Sequence, residues 1–121
     1  ESTDFGKTWS VPKKLDLWGH PAQLRKLKSG NIIMVWGARK KPQSVFAILS
    51  RDGGHTWDKS TLKTVYTWNP GCYDLGYPVV MQNDDGSIVC SYYGYSTEDV
   101  GDKAPHGIFV SVFDEKWLES K

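Results

Sequence analysis

Three polar side chains that could bind a substrate or transfer a proton stand near the ends of predicted strands. Arg39 follows a predicted strand, and a guanidinium at that place can bind a carboxylate through two parallel hydrogen bonds. His20 precedes a strand and can act as a general acid or base or bind a hydroxyl group, and Asp74 can present a carboxylate at the same end. Each also has a structural interpretation: Arg39 as a solvated member of a basic run, His20 as a hydrogen-bonded structural residue, and Asp74 as a turn former.

Four aromatic side chains are candidates for stacking on a sugar ring, because they combine a flat apolar face with a polar tip. Trp36 lies in a near-continuous apolar run and is predicted to be a core residue. Trp68 and Tyr73 lie in a predicted loop over 67–76 and are expected to be exposed, substrate-binding residues. Trp18 lies beside His20 at a predicted strand break and is a further candidate.

Composition and charge exclude some classes of protein. The chain has 121 residues, a net charge of +1 and an isoelectric point near 8.0, which suits one modest domain and gives no argument for binding to nucleic acid or a membrane surface. No run approaches the ~20 apolar residues of a membrane span. Six Trp, six Tyr, twelve Gly and six Pro are typical of short strands joined by turns.

The only two cysteines are Cys72 in a predicted turn and Cys90 in a predicted strand. They can form one disulfide, or they can remain two free thiols with Cys90 in the core, which is the favoured interpretation. No spacing of Cys and His residues indicates a zinc site, and no metal or cofactor is predicted.

The pattern Ser-x-Asp-x-Gly-x-Thr-Trp occurs at 2–9 and again at 50–57, an interval of 48 residues. Its Asp can accept hydrogen bonds from the following backbone, its Gly tolerates a positive φ, and its Trp can pin the turn to a sheet. A turn that recurs at about this interval is typical of propeller blades. The predicted structural residues are Ser2, Asp4, Gly6, Thr8 and Trp9 in the first copy, and Ser50, Asp52, Gly54, Thr56 and Trp57 in the second.

The rest of the chain is predicted to be all-β, and its two halves repeat the same order of strand, turn, strand, loop and strand. Only the first half continues into a second turn motif and an outer strand. The predicted strands cover 11–17, 22–27, 32–36, 44–49, 61–66, 77–82, 87–93 and 106–113, and 117–118 are expected to pack as a tail.

The turn motif resembles the Asp box, the repeat of bacterial neuraminidases and other sialidases, and the order of motifs along the chain is similar to the final blades of that superfamily. The resemblance implies about two four-stranded blades of a six-bladed β-propeller. It divides the chain into an Asp box and outer strand over 1–17, one blade over 18–66, and three strands of a further blade over 67–121. It also implies that the Asp boxes are structural rather than catalytic.

The resemblance to sialidases implies a tyrosine nucleophile, three arginines that bind the substrate carboxylate, and an aspartate that acts as acid and base. Tyr77 matches the nucleophile best, because it stands eight positions before Asp85 of an Asp-Gly turn. Pro78 follows it, where the family pattern usually has Ser, and this favours a packing or sugar-stacking role as the alternative. The predicted catalytic residues are therefore Tyr77, Asp74 and His20, with Arg39, Trp68 and Tyr73 binding the substrate.

The resemblance implies a glycoside hydrolase that acts on sialic acid or another acidic sugar within a complete propeller. The alternative is a non-catalytic propeller that binds glycans or proteins. The remaining blades are expected to come from a longer parent chain or from identical copies, for example three. A secreted or periplasmic location agrees with the resemblance.

Overall fold

The computed structural model describes residues 1–68, 74–95 and 106–121, and this part of the chain forms two antiparallel β-sheets and one short helix. The first sheet has the order β1-β2-β3-β4 and the second has the order β5-β6-β7. The elements are β1 (Ala22–Lys26), β2 (Ile32–Ala38), β3 (Ser44–Ser50), β4 (Asp58–Thr67), β5 (Gly76–Gln82), β6 (Ile88–Tyr95), β7 (His106–Phe113) and α1 (Glu115–Glu119).

The all-β prediction is confirmed, and seven of the eight predicted strands form close to their predicted positions. The predicted strand over 11–17 was wrong, because these residues pair with no other described strand. A strand needs a neighbour that completes its hydrogen bonds, and a sequence window cannot show whether one is present. Leu15 and Leu17 of this segment still pack against the first sheet.

The main core lies between the two sheets, and it explains the apolar run of β2. Ile33 and Val35 face this core, whereas Met34 and Trp36 belong to a smaller cluster on the opposite face of the first sheet. Successive residues of a strand point to opposite faces, so a strand covered on both sides must be apolar throughout. Cys90 is a free thiol in the main core, as predicted, and burial raises its pKa to about 12. Cys72 lies outside the described residues.

The tail packs as expected, but it does so as a helix that the sequence did not indicate. Asp114 caps α1 by accepting a hydrogen bond of 2.7 Å from the backbone N–H of Trp117. Leu118 is completely buried in the main core. A helix of five residues is too short to display an apolar period in the sequence. The sequence therefore showed only an apolar residue that could pack, and not the helix that carries it. The helix does not cross a membrane: among the described residues no helix is long and apolar enough to do so.

The two turn motifs at 2–9 and 50–57, for which we keep the label Asp box, share the hydrogen bonds of their aspartates, which confirms their predicted turn geometry. The backbone N–H of Thr8 donates to Asp4 Oδ1 at 2.9 Å, and that of Thr56 donates to Asp52 Oδ1 at 2.8 Å. Each Thr hydroxyl donates to the second oxygen of its aspartate, at 2.6 and 2.5 Å respectively. The glycines have φ values of +84° and +95°, as the motif requires.

The two box tryptophans differ in how they pack. Trp57 packs against the smaller apolar cluster of the first sheet, as predicted. Trp9 remains 72% exposed, and its Nε1 donates to the carbonyl of Gly6 at 3.2 Å. The first box therefore closes its own turn without covering a sheet.

The hydrogen bonds of the boxes should make stability depend on pH in the acidic range. The hydroxyl and backbone N–H of Thr8, together with Ser2, lower the pKa of Asp4 from 3.8 to about 2, and the equivalent groups lower that of Asp52 further. These carboxylates stabilise the fold above their unfolded pKa, and the stabilisation is lost as the pH falls through the folded values. We expect the urea midpoint to fall between about pH 4 and pH 2.

Asp52→Asn should lower the midpoint at neutral pH and flatten its dependence on pH below 4, because the substituted box has no carboxylate left to protonate. Asp16→Asn is the control, since Asp16 is exposed and closes no such turn. An unchanged acid profile for Asp52→Asn would contradict the prediction.

Candidate functional site

The candidate site lies at a close contact between the two sheets, at the end of β2 and the start of β5. A Cβ atom added to Gly37 would lie 2.8 Å from Gly76 Cα, which is closer than real Cβ contacts. The carbonyl oxygen of His20 lies beside the same two glycines, and the backbone N–H of His20 donates to the carbonyl of Gly37 at 2.9 Å. Position 37 therefore has no room for a side chain, and Gly76 has a φ of +131° that side chains rarely adopt. The contact brings together the segments that carry Arg39, Asp74 and Tyr77.

Arg39, Asp74 and Tyr93 form a hydrogen-bonded group that we call the Arg39 cluster. Arg39 Nε donates to the carbonyl of Leu75 at 3.1 Å, and Nη2 donates to the Tyr93 hydroxyl at 3.1 Å. Arg39 Nη2 also lies 3.3 Å from Asp74 Oδ1, and the Tyr93 hydroxyl donates to the same oxygen. The three side chains therefore fix one another at a partly exposed surface, and the structure brings the predicted residues Arg39 and Asp74 into contact.

The Tyr93 phenol is held in its neutral form. Partial burial and the neighbouring carboxylate of Asp74 raise its pKa to about 12, although the charge of Arg39 acts in the opposite direction. At neutral pH the phenol donates a hydrogen bond to Asp74 and accepts one from Arg39. Its function in this geometry is to orient the guanidinium and the carboxylate.

Tyr77 lies next to this cluster in an unusual backbone conformation. Its φ is +46°, and it follows Gly76, whose φ is +131°. Its side chain is 61% exposed, and the centre of its ring lies 5.8 Å from that of Tyr93 at an interplanar angle of 32°. A left-handed conformation is costly for a residue with a large side chain, and such strain often occurs at functional sites.

The His20 side chain is directed to a different group of residues. Its ring contacts the edge of Trp18, with the ring centres 5.9 Å apart. Lys40 Nζ lies 4.4 Å from the centre of the Trp18 ring, a cation–π contact, and the Trp18 carbonyl accepts a hydrogen bond of 3.0 Å from Trp36 Nε1. The structure thus places the backbone of His20 at the site and its imidazole beside Trp18.

The predicted exposure of Trp68 was wrong, since only 3% of this residue is accessible. Its backbone N–H donates to the carbonyl of Gln43 at 2.9 Å, and its ring packs edge-on against Tyr66, Tyr92 and Phe109 in the main core. A tryptophan so enclosed has no free face for a sugar ring. Tyr73, the other predicted stacking residue, lies outside the described residues.

Sequence reasoning missed Tyr93, which connects the two predicted residues Arg39 and Asp74. The signal available was the pair Tyr92-Tyr93 in a predicted strand, since neighbouring residues of a strand face opposite sides. Tyr92 is indeed buried in the core, with its hydroxyl 2.6 Å from that of Ser111. The contact of Tyr93 with Arg39 joins positions 54 residues apart, and no local pattern predicts it.

The described residues contain no group of three or more His, Cys, Asp or Glu side chains that could hold a metal ion. Comparison with protein-family models, curated proteins and solved structures found no match.

Substitutions of Asp74 and Arg39, the two residues that hydrogen-bond to Tyr93, should change the pKa of its phenol in opposite directions. Asp74→Asn should lower the pKa of Tyr93 from about 12, because the carboxylate that disfavours the phenolate is removed. Arg39→Gln should reduce the fraction of phenolate at a given alkaline pH, because the stabilising cation is lost. NMR of ring-labelled tyrosine measures both effects, with Tyr93→Phe assigning the signal. Shifts in the same direction for both variants would contradict the proposed arrangement.

Proposed function

We propose that this chain forms part of a sialidase-like β-propeller, and that the Arg39 cluster and Tyr77 bind a sugar whose glycosidic bond the complete propeller hydrolyses. The observation that carries the proposal is the exposed Tyr77 phenol, in a left-handed conformation, beside the hydrogen-bonded Arg39 cluster. The repeated Asp boxes and the two face-to-face antiparallel sheets support the propeller assignment.

In this proposal Tyr77 is the nucleophile. Its phenol oxygen attacks the anomeric carbon while a base takes the phenol proton, and the leaving oxygen departs with a proton from an acid. Water then attacks the anomeric carbon of the glycosyl-tyrosine intermediate, which releases the sugar and restores the phenol. Asp74 is the candidate proton acceptor, because it belongs to the Arg39 cluster beside Tyr77. His20, the other predicted acid or base, would have to turn its imidazole away from Trp18 to take part. Arg39 orients the sugar through guanidinium N–H groups, and Tyr93 holds Arg39 in place.

A second candidate function, glycan binding without hydrolysis, is favoured by two observations. Arg39 is already paired with Asp74, so a substrate carboxylate must share the guanidinium with a carboxylate of the protein. In addition, the Tyr77 phenol donates no hydrogen bond to a described residue, so none of these residues is positioned as its base. Tyr77 and Tyr93 then act as an aromatic surface for the sugar.

The substitution Tyr77→Phe separates the two functions, because it removes the nucleophilic oxygen and keeps the ring. If the propeller hydrolyses aryl glycosides through Tyr77, the rate should fall by at least about 100-fold while sugar binding changes little. Aryl glycosides are suitable substrates because an aryl leaving group needs no protonation. Both acidic and neutral aryl glycosides should be assayed. Tyr66→Phe is the matched control, because it removes a phenol oxygen from the aromatic cluster of the core.

An unchanged rate for Tyr77→Phe would exclude this residue as the nucleophile. Sugar binding without turnover in the unsubstituted protein, weakened by Arg39→Gln, would establish the binding function instead. Absence of both turnover and sugar binding would exclude the two proposals together.

A further inference from the structure

The outward face of the second sheet carries a set of large, exposed apolar side chains, which we call the tail face. Strand pairing places Val79, Ser91 and Val110 in one row and Met81, Val89 and Val112 in the next. Folded monomers rarely expose an apolar surface that continues across several strands. The residues that define the tail face, between 52% and 76% exposed, are Val79, Met81, Ile108, Val110 and Val112.

The edge of this sheet is equally unprotected. β7 is the last strand of the order β5-β6-β7, and no strand of the described residues pairs with its outer side. Its eight residues contain no lysine, arginine, aspartate, glutamate or proline, the residues that commonly protect an edge. The edge strand of the first sheet, β4, contains Asp58, Lys59 and Lys63, and its pairing with β3 is irregular.

Residues 10–17 have the sequence features of an edge strand, and β7 has no such strand on its outer side among the described residues. They follow an Asp box, as β4 does, and they include Pro12, Lys13, Lys14 and Asp16. They pair with no other described strand, although Leu15 and Leu17 pack on the outward face of the first sheet. The same face carries Leu24, which pairs with the buried Met34 and is itself 57% exposed. We call this face, together with residues 10–17, the head face.

We propose that the tail face of one copy of this chain binds the head face of a second copy. Residues 10–17 of the second copy pair with the outer edge of β7 and complete a four-stranded sheet like the first one. Leu24 and its neighbours on the second copy then cover Val110 and the rest of the tail face. This inference is independent of the proposed catalytic function.

The contact proposed between copies resembles the packing of the two sheets within one chain. The inner face of the first sheet already packs on the second sheet, through β1 and β2 against β5. The proposed contact continues the same alternation of sheets, so each copy uses two different surfaces. Contacts of this kind close into rings or continue as filaments.

Single substitutions at the two faces test the proposal by light scattering combined with size exclusion. The unsubstituted chain should have a mass at least twice that of one chain, which is 13.7 kDa. Val110→Lys should reduce it to the mass of one chain, because a charge placed in an apolar contact prevents packing. Leu24→Asp should have the same effect from the other side.

A mixture of the two variants gives the sharper result. Chains with Leu24→Asp keep an intact tail face, and chains with Val110→Lys keep an intact head face. Only one competent contact then remains, so the mixture should form a dimer of one chain of each kind and nothing larger. Phe5→Lys is the matched control, since Phe5 is fully exposed in the first Asp-box turn and lies outside both sheets.

Three outcomes would overturn the proposal. The first is an unsubstituted chain that is folded by circular dichroism and keeps the mass of one chain at high concentration; the tail face would then belong to a different partner, such as a further sheet of a longer chain. The second is a mixture of variants that stays monomeric, because the contact would then not join tail to head. The third is equal dissociation by Phe5→Lys, which would show that the effect is not specific to the two faces.

Discussion

The close contact between Gly37 and Gly76 is the constraint on which the rest of this structure depends. It joins the end of a strand in the first sheet to the start of a strand in the second without intervening side chains. Arg39 lies two residues beyond one glycine, and Asp74 lies two residues before the other. The guanidinium and the carboxylate meet because the backbones meet, and Tyr93 then joins both from the adjacent strand. A side chain at Gly37 would push against the backbone of Gly76 and force the sheets apart, whereas at Gly76 it is the φ of +131° that disfavours a side chain.

The same packing decides which apolar residues are buried and which stay exposed. The first sheet is covered on its inner face by the second sheet and partly on its outward face by Leu15, Leu17 and Trp57. The second sheet is covered only on its inner face in the described residues, so alternate residues of β5 and β7 remain exposed. The two sheets repeat the same order of strands, and they differ in what covers them. This difference, rather than any single residue, is the physical basis for the contact proposed between copies.

Local patterns were sufficient to predict most of the strands and both Asp boxes. The apolar run over 32–36 and the alternation around 106–113 act within one strand, where the period of two fixes which residues share a face. The box hydrogen bonds join residues two to four positions apart, so the motif itself contains both donor and acceptor. The failures lie elsewhere: the segment 11–17 lacks a pairing partner, and Trp68 looks exposed in its sequence context although its ring fills the core against β6 and β7.

The candidate site shows the same division. By itself the sequence determined the strands, the turn chemistry of Asp4 and Asp52, the core position of Trp36, and the presence of Arg39 and Asp74 near strand ends. Only the tertiary structure decided that Arg39, Asp74 and Tyr93 bind one another, that His20 turns toward Trp18, and that Tyr77 adopts a left-handed conformation. The contacts of the Arg39 cluster join residues up to 54 positions apart, which become neighbours only when the two sheets pack at their glycines. The conformations of His20 and Tyr77 are local, but they depend on the backbone geometry at the same contact.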